Sequence, residues 1–186
     1  MSWREKKSAI ARQVDRLAFI KEDNLTLIIM NIYFKSALVG MIAGMRSMSA
    51  PAFVSRKLSR EQSAEINNSA FKFLSSTQTA NILKVLAAGE MFADKLPMIP
   101  ARILPAPLAA RAVSGAVCGA ALCKSKGERS DEGAFIGALT AVFSAYGFYY
   151  LRRDLGKVSR VPDALLGAVE DALVIEIGLK AIDEKN

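Results

Sequence analysis

The sequence contains no histidine and only two cysteines, and both shortages exclude familiar kinds of chemistry. Without histidine the chain cannot carry a Ser-His-Asp triad or the usual histidine-containing zinc sites. Cys118 and Cys123 stand in an apolar run, at a spacing that fits neither a CxxC motif nor a pair of metal ligands, so we expect two buried small side chains. No nucleophile–base pair, phosphate-binding loop or metal cluster stands out. We therefore predict no enzyme activity, no cofactor and no metal.

The aromatic and glycine patterns of nucleic-acid-binding modules are also missing, although the net charge is +7. A basic excess attracts either nucleic acid or an anionic lipid surface. The 186 residues fit one domain, and 52% of them are hydrophobic. The charged residues make up 23% of the chain and gather in short clusters between apolar runs. This distribution predicts a lipid bilayer as the partner and no nucleic acid.

The apolar runs predict an all-α polytopic membrane protein with about five transmembrane helices, because about twenty apolar residues cross a bilayer. The transmembrane domain is expected over residues 36–182, with spans at about 36–54, 80–96, 108–123, 133–151 and 162–179. The third span consists mainly of Ala, Gly, Ser, Val and Cys. Such small residues let neighbouring helices approach closely in lipid.

Residues 1–35 form a basic N-terminal extension that holds eleven of the 43 charged side chains. Within it, residues 1–23 place apolar side chains at helical spacing among lysines and arginines. This pattern predicts an amphipathic helix, which lies either on the bilayer surface or against protein. A cleaved signal peptide is not expected, because the charged region is long and contains acids.

Two of the predicted spans resemble each other. Residues 36–58 align without gaps over residues 133–155, and one alanine, one glycine, one serine, one arginine and one leucine coincide. Each of these spans is followed by one that carries paired acids. The arrangement is compatible with a 2+1+2 inverted repeat around the small-residue span, a layout that transporters use. A chance likeness between two glycine-containing spans explains the alignment equally well.

Ionisable residues inside the predicted spans form a candidate mid-membrane charged site. Charges at that depth need partners, since their desolvation is otherwise too costly. They either recognise an anionic group or relay protons, or they are structural ion pairs that hold the helices together. The sequence leaves open whether Arg46 meets Glu90 or Glu170. The members of the candidate site are Arg46, Glu90, Asp94, Arg111, Glu170 and Asp171.

The end of the fourth predicted span is aromatic and then basic, as expected where a helix leaves the membrane. We interpret these side chains as interface anchors rather than as a ligand-binding set. They are Tyr146, Tyr149, Tyr150, Arg152 and Arg153.

The motifs resemble those of the bacterial membrane-protein family catalogued as domain of unknown function 4126. The likeness is carried by residues 44–51 (GMRSMSAP), 90–97 (EMFADKLP) and 100–102 (PAR), followed by 110–120, 147–152, 162–163 and 170–172. Together these motifs cover roughly residues 36–180 in order. The resemblance implies a multi-pass protein of the bacterial inner membrane, and it implies no agreed activity.

Two functions are consistent with this sequence. One is a small transporter or channel with a charged mid-membrane site. The other is a structural or accessory subunit, in a homo-oligomer or a larger membrane complex, that docks a partner or anionic lipid through its N-terminus. A soluble helical bundle is the third and least favoured interpretation.

Overall fold

The computed structural model describes residues 31–93, 104–158 and 163–179, and none of these residues is in a β-strand. The predicted all-α class is therefore confirmed over the described residues. The predicted amphipathic helix at residues 1–23 lies outside them. The helices are α1 (31–45), α2 (Ser49–Glu61), α3 (Ala64–Asn67), a 3-10 helix (Ala70–Ser75), α4 (Thr77–Ala93), α5 (Pro105–Ser125), α6 (Ser130–Val158) and α7 (Asp163–Ile177). The contacts that follow lie within the compact unit Tyr33–Asn186.

The predicted first span, 36–54, is not one helix, and this prediction was wrong. The helix α1 ends at residue 45, three non-helical residues follow, and α2 begins at Ser49. The chain then reverses. Ser36 on α1 contacts Cys123 near the end of α5, and Glu61 at the end of α2 approaches Lys126, just beyond the same end. Thus α1 and α2 form a helical hairpin whose two arms point toward one end of the bundle.

Helices α1, α5 and α6 pack through glycines, which let their backbones approach closely. A Cβ atom built on Gly115 would collide with the carbonyl oxygen of Gly137, and one on Gly119 would collide with that of Gly133. These contacts pair α5 with α6 in antiparallel order. A Cβ atom on Gly40 of α1 would also meet the Gly137 carbonyl oxygen. Gly137 is consequently the point where all three helices meet.

Backbone hydrogen bonds in the turn between α5 and α6 cap the C-terminal end of α5. Gly127 has a φ of 77°, a left-handed conformation that glycine adopts without steric cost. The Gly127 N–H donates to the Lys124 carbonyl at 3.1 Å, and the Glu128 N–H donates to the Cys123 carbonyl at 2.9 Å. This pair of bonds is the Schellman motif. It places α6 directly beside α5.

Charged side chains gather at this end of the bundle. Glu61 bonds Lys57 at 2.8 Å and lies 3.6 Å from Lys126. Burial alone would raise the pKa of Glu61, but the hydrogen bond from Lys57 and the two lysine charges lower it below its ordinary value. Tyr33 donates to Glu132 at 2.5 Å, and this bond raises the pKa of Tyr33 to about 12. The end of the bundle is therefore polar.

Two of the described helices, α5 and residues Ser130–Leu155 of α6, are long and apolar enough to cross a membrane. They correspond to the third and fourth predicted spans. Helices α4 and α7 coincide with most of the second and fifth predicted spans, at residues 77–93 and 163–177. The prediction of five crossings remains a prediction.

The two aligned spans have different structures. Residues 133–155 lie in the uninterrupted helix α6, whereas residues 36–58 contain the break at 46–48. The likeness of their sequences reflects a shared use of glycine for close packing, since Gly40 and Gly137 contact each other. The inverted repeat therefore has no counterpart in the shapes of these two segments.

Candidate functional site

The candidate site is the break between α1 and α2, at residues 46–48. The α1 pattern of hydrogen bonds runs to Arg46, whose N–H donates to the Ile42 carbonyl at 2.7 Å. Pro51, in the first turn of α2, has no N–H and so cannot bond the carbonyl of Ser47, four residues earlier. A broken helix exposes carbonyls at the end of α1 and N–H groups at the start of α2. Side chains from other helices bind these groups.

Arg111 of α5 binds the carbonyl end of α1. Its Nη1 donates to the Gly44 carbonyl at 2.6 Å and to the Met45 carbonyl at 2.7 Å. In an unbroken helix these carbonyls would accept from the N–H groups of residues 48 and 49. The guanidinium therefore replaces helix hydrogen bonds, and its positive charge lies at the negative end of the helix dipole. Arg111 is only 5% exposed.

Glu90 of α4 binds the N–H end of α2. Its Oε1 accepts from the Ser47 N–H at 2.9 Å and from the Ser47 hydroxyl at 2.7 Å. Its Oε2 accepts from the Met48 N–H at 2.8 Å. Met48 itself provides no side-chain cap. Glu90 thus takes the place of the missing N-cap residue and puts a negative charge at the positive end of the helix dipole.

Ser114 of α5 completes the backbone pairing. Its hydroxyl donates to the Ser47 carbonyl at 2.6 Å, and this is the acceptor that Pro51 leaves without a helix hydrogen bond. Serine hydroxyls commonly satisfy backbone groups that a proline frees in a membrane helix. The serine that does so lies on another helix, one turn beyond Arg111.

Arg46, which follows the last residue of α1, joins the break to α7 and α4. Its Nη2 lies 2.5 Å from Oδ1 of Asp171, and its Nη1 donates to the Glu90 backbone carbonyl at 3.3 Å. The Arg46 side chain is 1% exposed and the Asp171 side chain 14%. A buried charge of this kind requires a partner of opposite sign. One guanidinium thus connects the break to two other helices, α4 and α7.

The structure brings together four of the six residues of the predicted charged site and separates another. Glu170, next to Asp171 in sequence, faces Arg152 on α6, at 3.6 Å. Arg46 thus pairs with Asp171, which neither of the two pairings left open by the sequence includes. Asp94 lies outside the described residues.

The predicted interface anchors divide into two groups. Tyr149 and Tyr150 pack edge to face with ring centroids 5.4 Å apart, and the Arg153 guanidinium lies 4.8 Å from the centre of the Tyr150 ring. Tyr146 is exposed. The Arg152 side chain is 22% exposed and pairs with Glu170, and its role as an interface anchor stays a prediction. The glycine at position 167 leaves room for this guanidinium.

Sequence reasoning missed the backbone groups and serines at the break. The donors of Ser47 and Met48 and the hydroxyl of Ser114 are as important to the site as its charges. The signal was present in residues 44–51, where an arginine, two serines and a proline interrupt an apolar run. What the sequence lacked was any indication of the helices that would supply the partners.

The described residues contain no group of histidine, cysteine or acidic side chains that could hold a metal ion. Three cavities of about 430, 200 and 70 Å³ are not lined by Arg46 or Arg111. Side chains of Arg111, Glu90 and Ser114 occupy the backbone groups of the break.

Comparisons with known proteins return no relative. No family model matches the chain, no curated protein is similar to it, and no solved structure has a matching fold. The resemblance to the family of unknown function 4126 stays a prediction.

We expect the hydrogen bond from Ser114 to contribute substantially to the free energy of unfolding only while residue 51 is proline. Replacing Ser114 with alanine leaves the Ser47 carbonyl without its partner and should destabilise the fold by about 1–3 kcal/mol. In a Pro51→Ala background, the new N–H at residue 51 can bond that carbonyl, so the same substitution should cost much less. A double-mutant cycle of unfolding free energies measures the difference. Equal costs in both backgrounds would contradict this account of the break.

Proposed function

We propose that the chain is a multi-pass integral membrane protein of the bacterial inner membrane. Large apolar side chains are exposed along α4, α6 and α7, where a soluble monomer rarely keeps extended apolar patches. Phe135 is 68% exposed and Phe143 69%. This surface supports lipid as the surrounding solvent. The other exposed apolar side chains on these helices include Ile82, Val85, Leu86, Phe92, Leu139, Leu165, Val169, Leu173 and Ile175.

Extraction tests the membrane location. The full chain should stay in the membrane pellet at alkaline carbonate pH and enter solution only with detergent. Release by carbonate alone would reject this proposal, and it would favour a soluble helical bundle that buries its apolar faces in an assembly.

The break lies level with the middle of α6, which supports a position near the bilayer midplane. The Ser144 hydroxyl, near the centre of that helix, donates to the Met41 carbonyl at 2.8 Å. Gly44, just before the break, packs against Ala141 and Ala145. Non-helical backbone at membrane depth occurs where it is buried in protein or lines a path for a solute. The hairpin of α1 and α2 then enters and leaves on the same side.

The activity that we propose is that of a small transporter or channel, and the observation that carries it is the broken helix. Half-helix ends near the midplane are the groups with which transporters hold ions and solutes. In this chain Glu90 occupies one such end and Arg111 the other. An inert scaffold would be built more simply with an unbroken helix. The described arrangement corresponds to a closed state.

The transport proposal is tested with proteoliposomes and defined probes: protons, potassium, chloride, and glycerol by osmotic swelling. Wild-type protein should conduct at least one probe above empty liposomes. Glu90→Gln removes the charge at the start of α2 and should reduce that flux at least about tenfold, within the range for loss of a preorganised charge. The matched control is Glu65→Gln, since that side chain is 58% exposed. A Glu90→Gln protein that conducts like wild type would reject the role of the break.

The alternative is a structural or accessory subunit of a homo-oligomer or larger complex. The observation that favours it is that Arg46 and Arg111 are buried and bond to protein groups. Residues 1–23 would then dock the partner or anionic lipid. Under this alternative, wild-type liposomes conduct no probe, Glu90→Gln keeps the native partner in detergent, and deletion of residues 1–23 releases it.

A further inference from the structure

A groove of about 200 Å³ runs between α2 and α4 and begins at Ser49, the first residue after the break. Four α2 residues line it at positions 49, 52, 53 and 56, and four α4 residues at positions 84, 87, 88 and 91. Both sets have helical i, i+3, i+4, i+7 spacing, so each helix presents one face over two turns. That spacing makes the groove about 10 Å long. It is an elongated slot between two helices rather than a rounded cavity.

The two ends of the groove differ in charge. Arg56 and Lys84 are the charged side chains that line it, and both are cationic. Lys84 is exposed and donates to a neutral group, the Asn81 side-chain oxygen, at 3.3 Å. The nearest acid on α4, Glu90, is turned to Ser47 and Met48. One end of the groove therefore suits a negative group.

The rest of the lining is apolar, apart from one serine. Phe53 and Met91 form its large side chains, with alanines from both helices between them. Phe53 packs against the residue that follows α7, because a Cβ atom on Gly178 would strike the Phe53 ring. Ser49, which is 1% exposed, contributes a hydroxyl that has no hydrogen-bond partner among the described residues.

The size and surroundings of the groove favour a single hydrocarbon chain. About 200 Å³ is less than the volume of most sites for compact small molecules. Ala88, which lines the groove, is exposed, and α4 next to it presents Ile82, Val85 and Leu86 to the surroundings. The groove is thus continuous with an exposed apolar face. A chain could enter from the side without crossing a polar surface.

We infer that the groove between α2 and α4 binds one anionic phospholipid. The headgroup phosphate lies at Arg56 and Lys84, and one acyl chain extends from there along Phe53 and Met91. Basic pockets between transmembrane helices bind anionic headgroups in this way. The inference rests on the proposed membrane location but not on the proposed transport activity.

Native mass spectrometry of the full chain in detergent tests this inference. Dioleoylphosphatidylglycerol and dioleoylphosphatidylcholine are added in parallel, and the lipid-bound fraction is measured for each. We expect the anionic lipid to bind about tenfold more tightly or better, since two basic side chains face its phosphate. The double variant Arg56→Gln/Lys84→Gln should lose this preference. The charge-preserving variant Arg56→Lys/Lys84→Arg should keep most of it.

The matched control is Arg60→Gln/Lys72→Gln, which removes two exposed cations from the same part of the chain. It should bind phosphatidylglycerol like wild type. Equal binding of the two lipids, or a preference that survives Arg56→Gln/Lys84→Gln, would overturn the inference. So would inorganic phosphate that displaces the lipid at millimolar concentration, because the groove would then be a site for a free anion.

Carbonate extraction separates this inference from the proposed location. A chain that resists extraction yet shows no preference for phosphatidylglycerol overturns the lipid site alone. A chain that carbonate releases overturns both.

Discussion

Replacing Arg111 with methionine is expected to destabilise the fold by on the order of 3–5 kcal/mol, among the largest effects of any single substitution. The Gly44 and Met45 carbonyls would lose their charged donor in a site where water does not reach them. Methionine fills similar space, so the loss is one of hydrogen bonding and charge rather than of volume. Denaturant unfolding of the detergent-solubilised protein measures it.

Arg129→Met is the control for this substitution. Arg129 is 68% exposed and forms ion pairs with Asp131 and Glu132 at the surface. Exposed pairs contribute about 0–1 kcal/mol, so the control should remain close to wild type. Arg111→Lys keeps the charge but loses the planar guanidinium, and we expect an intermediate stability. If Arg111→Met were as stable as its control, Arg111 would not hold the end of α1.

The second large effect is expected at Gly137, where α1, α5 and α6 meet. An alanine there would place its Cβ against the Gly115 backbone, and neither backbone can move aside without separating the helices. Overpacking of this kind costs roughly 1–3 kcal/mol and sometimes more. We expect Gly137→Ala to lower the thermal midpoint and to loosen the contact between α5 and α6.

Gly147→Ala, on the same helix, should have the opposite effect. A Cβ atom at Gly147 meets nothing within 4 Å. Alanine in a helix interior is favoured over glycine by roughly 0.5–1 kcal/mol, so this variant should be slightly more stable than wild type. Thermal unfolding of the two variants and of wild type measures the shift of each midpoint. If both substitutions shift the midpoint in the same direction, close packing at Gly137 does not explain its glycine.

The sequence predicted the helices of the second half of the chain well. Residues 108–123 and 133–151 were expected as spans, and α5 and α6 contain them. These segments are long, apolar and free of interior proline, so local preference and hydrophobic length agree. The break at 46–48 was not predicted, although an arginine, two serines and Pro51 lie within residues 44–51. A proline in the first turn of a helix is compatible with a new start, but sequence alone does not distinguish a kink from a reversal.

The charged residues of the site were also predicted only in part. The sequence indicated that Arg46, Arg111, Glu90 and Asp171 would need partners, because burial of an unpaired charge is too costly. It did not indicate that Arg111 and Glu90 bind the ends of a broken helix. Most of those partners are backbone groups, which nearly every residue carries. Neither residue type nor spacing reveals which carbonyl or N–H a distant side chain will meet.

The sequence by itself determined the helical class, the positions of the long apolar helices, and the identity of the charges that must be satisfied. Hydrophobicity, glycine spacing and desolvation act locally along the chain, and they can be read from it. The tertiary structure decided the reversal between α1 and α2, the pairing of Arg46 with Asp171 and of Arg152 with Glu170, and the side chains that cap the break. These depend on which helices lie side by side, and the close packing of α1, α5 and α6 at Gly137 fixes part of that arrangement.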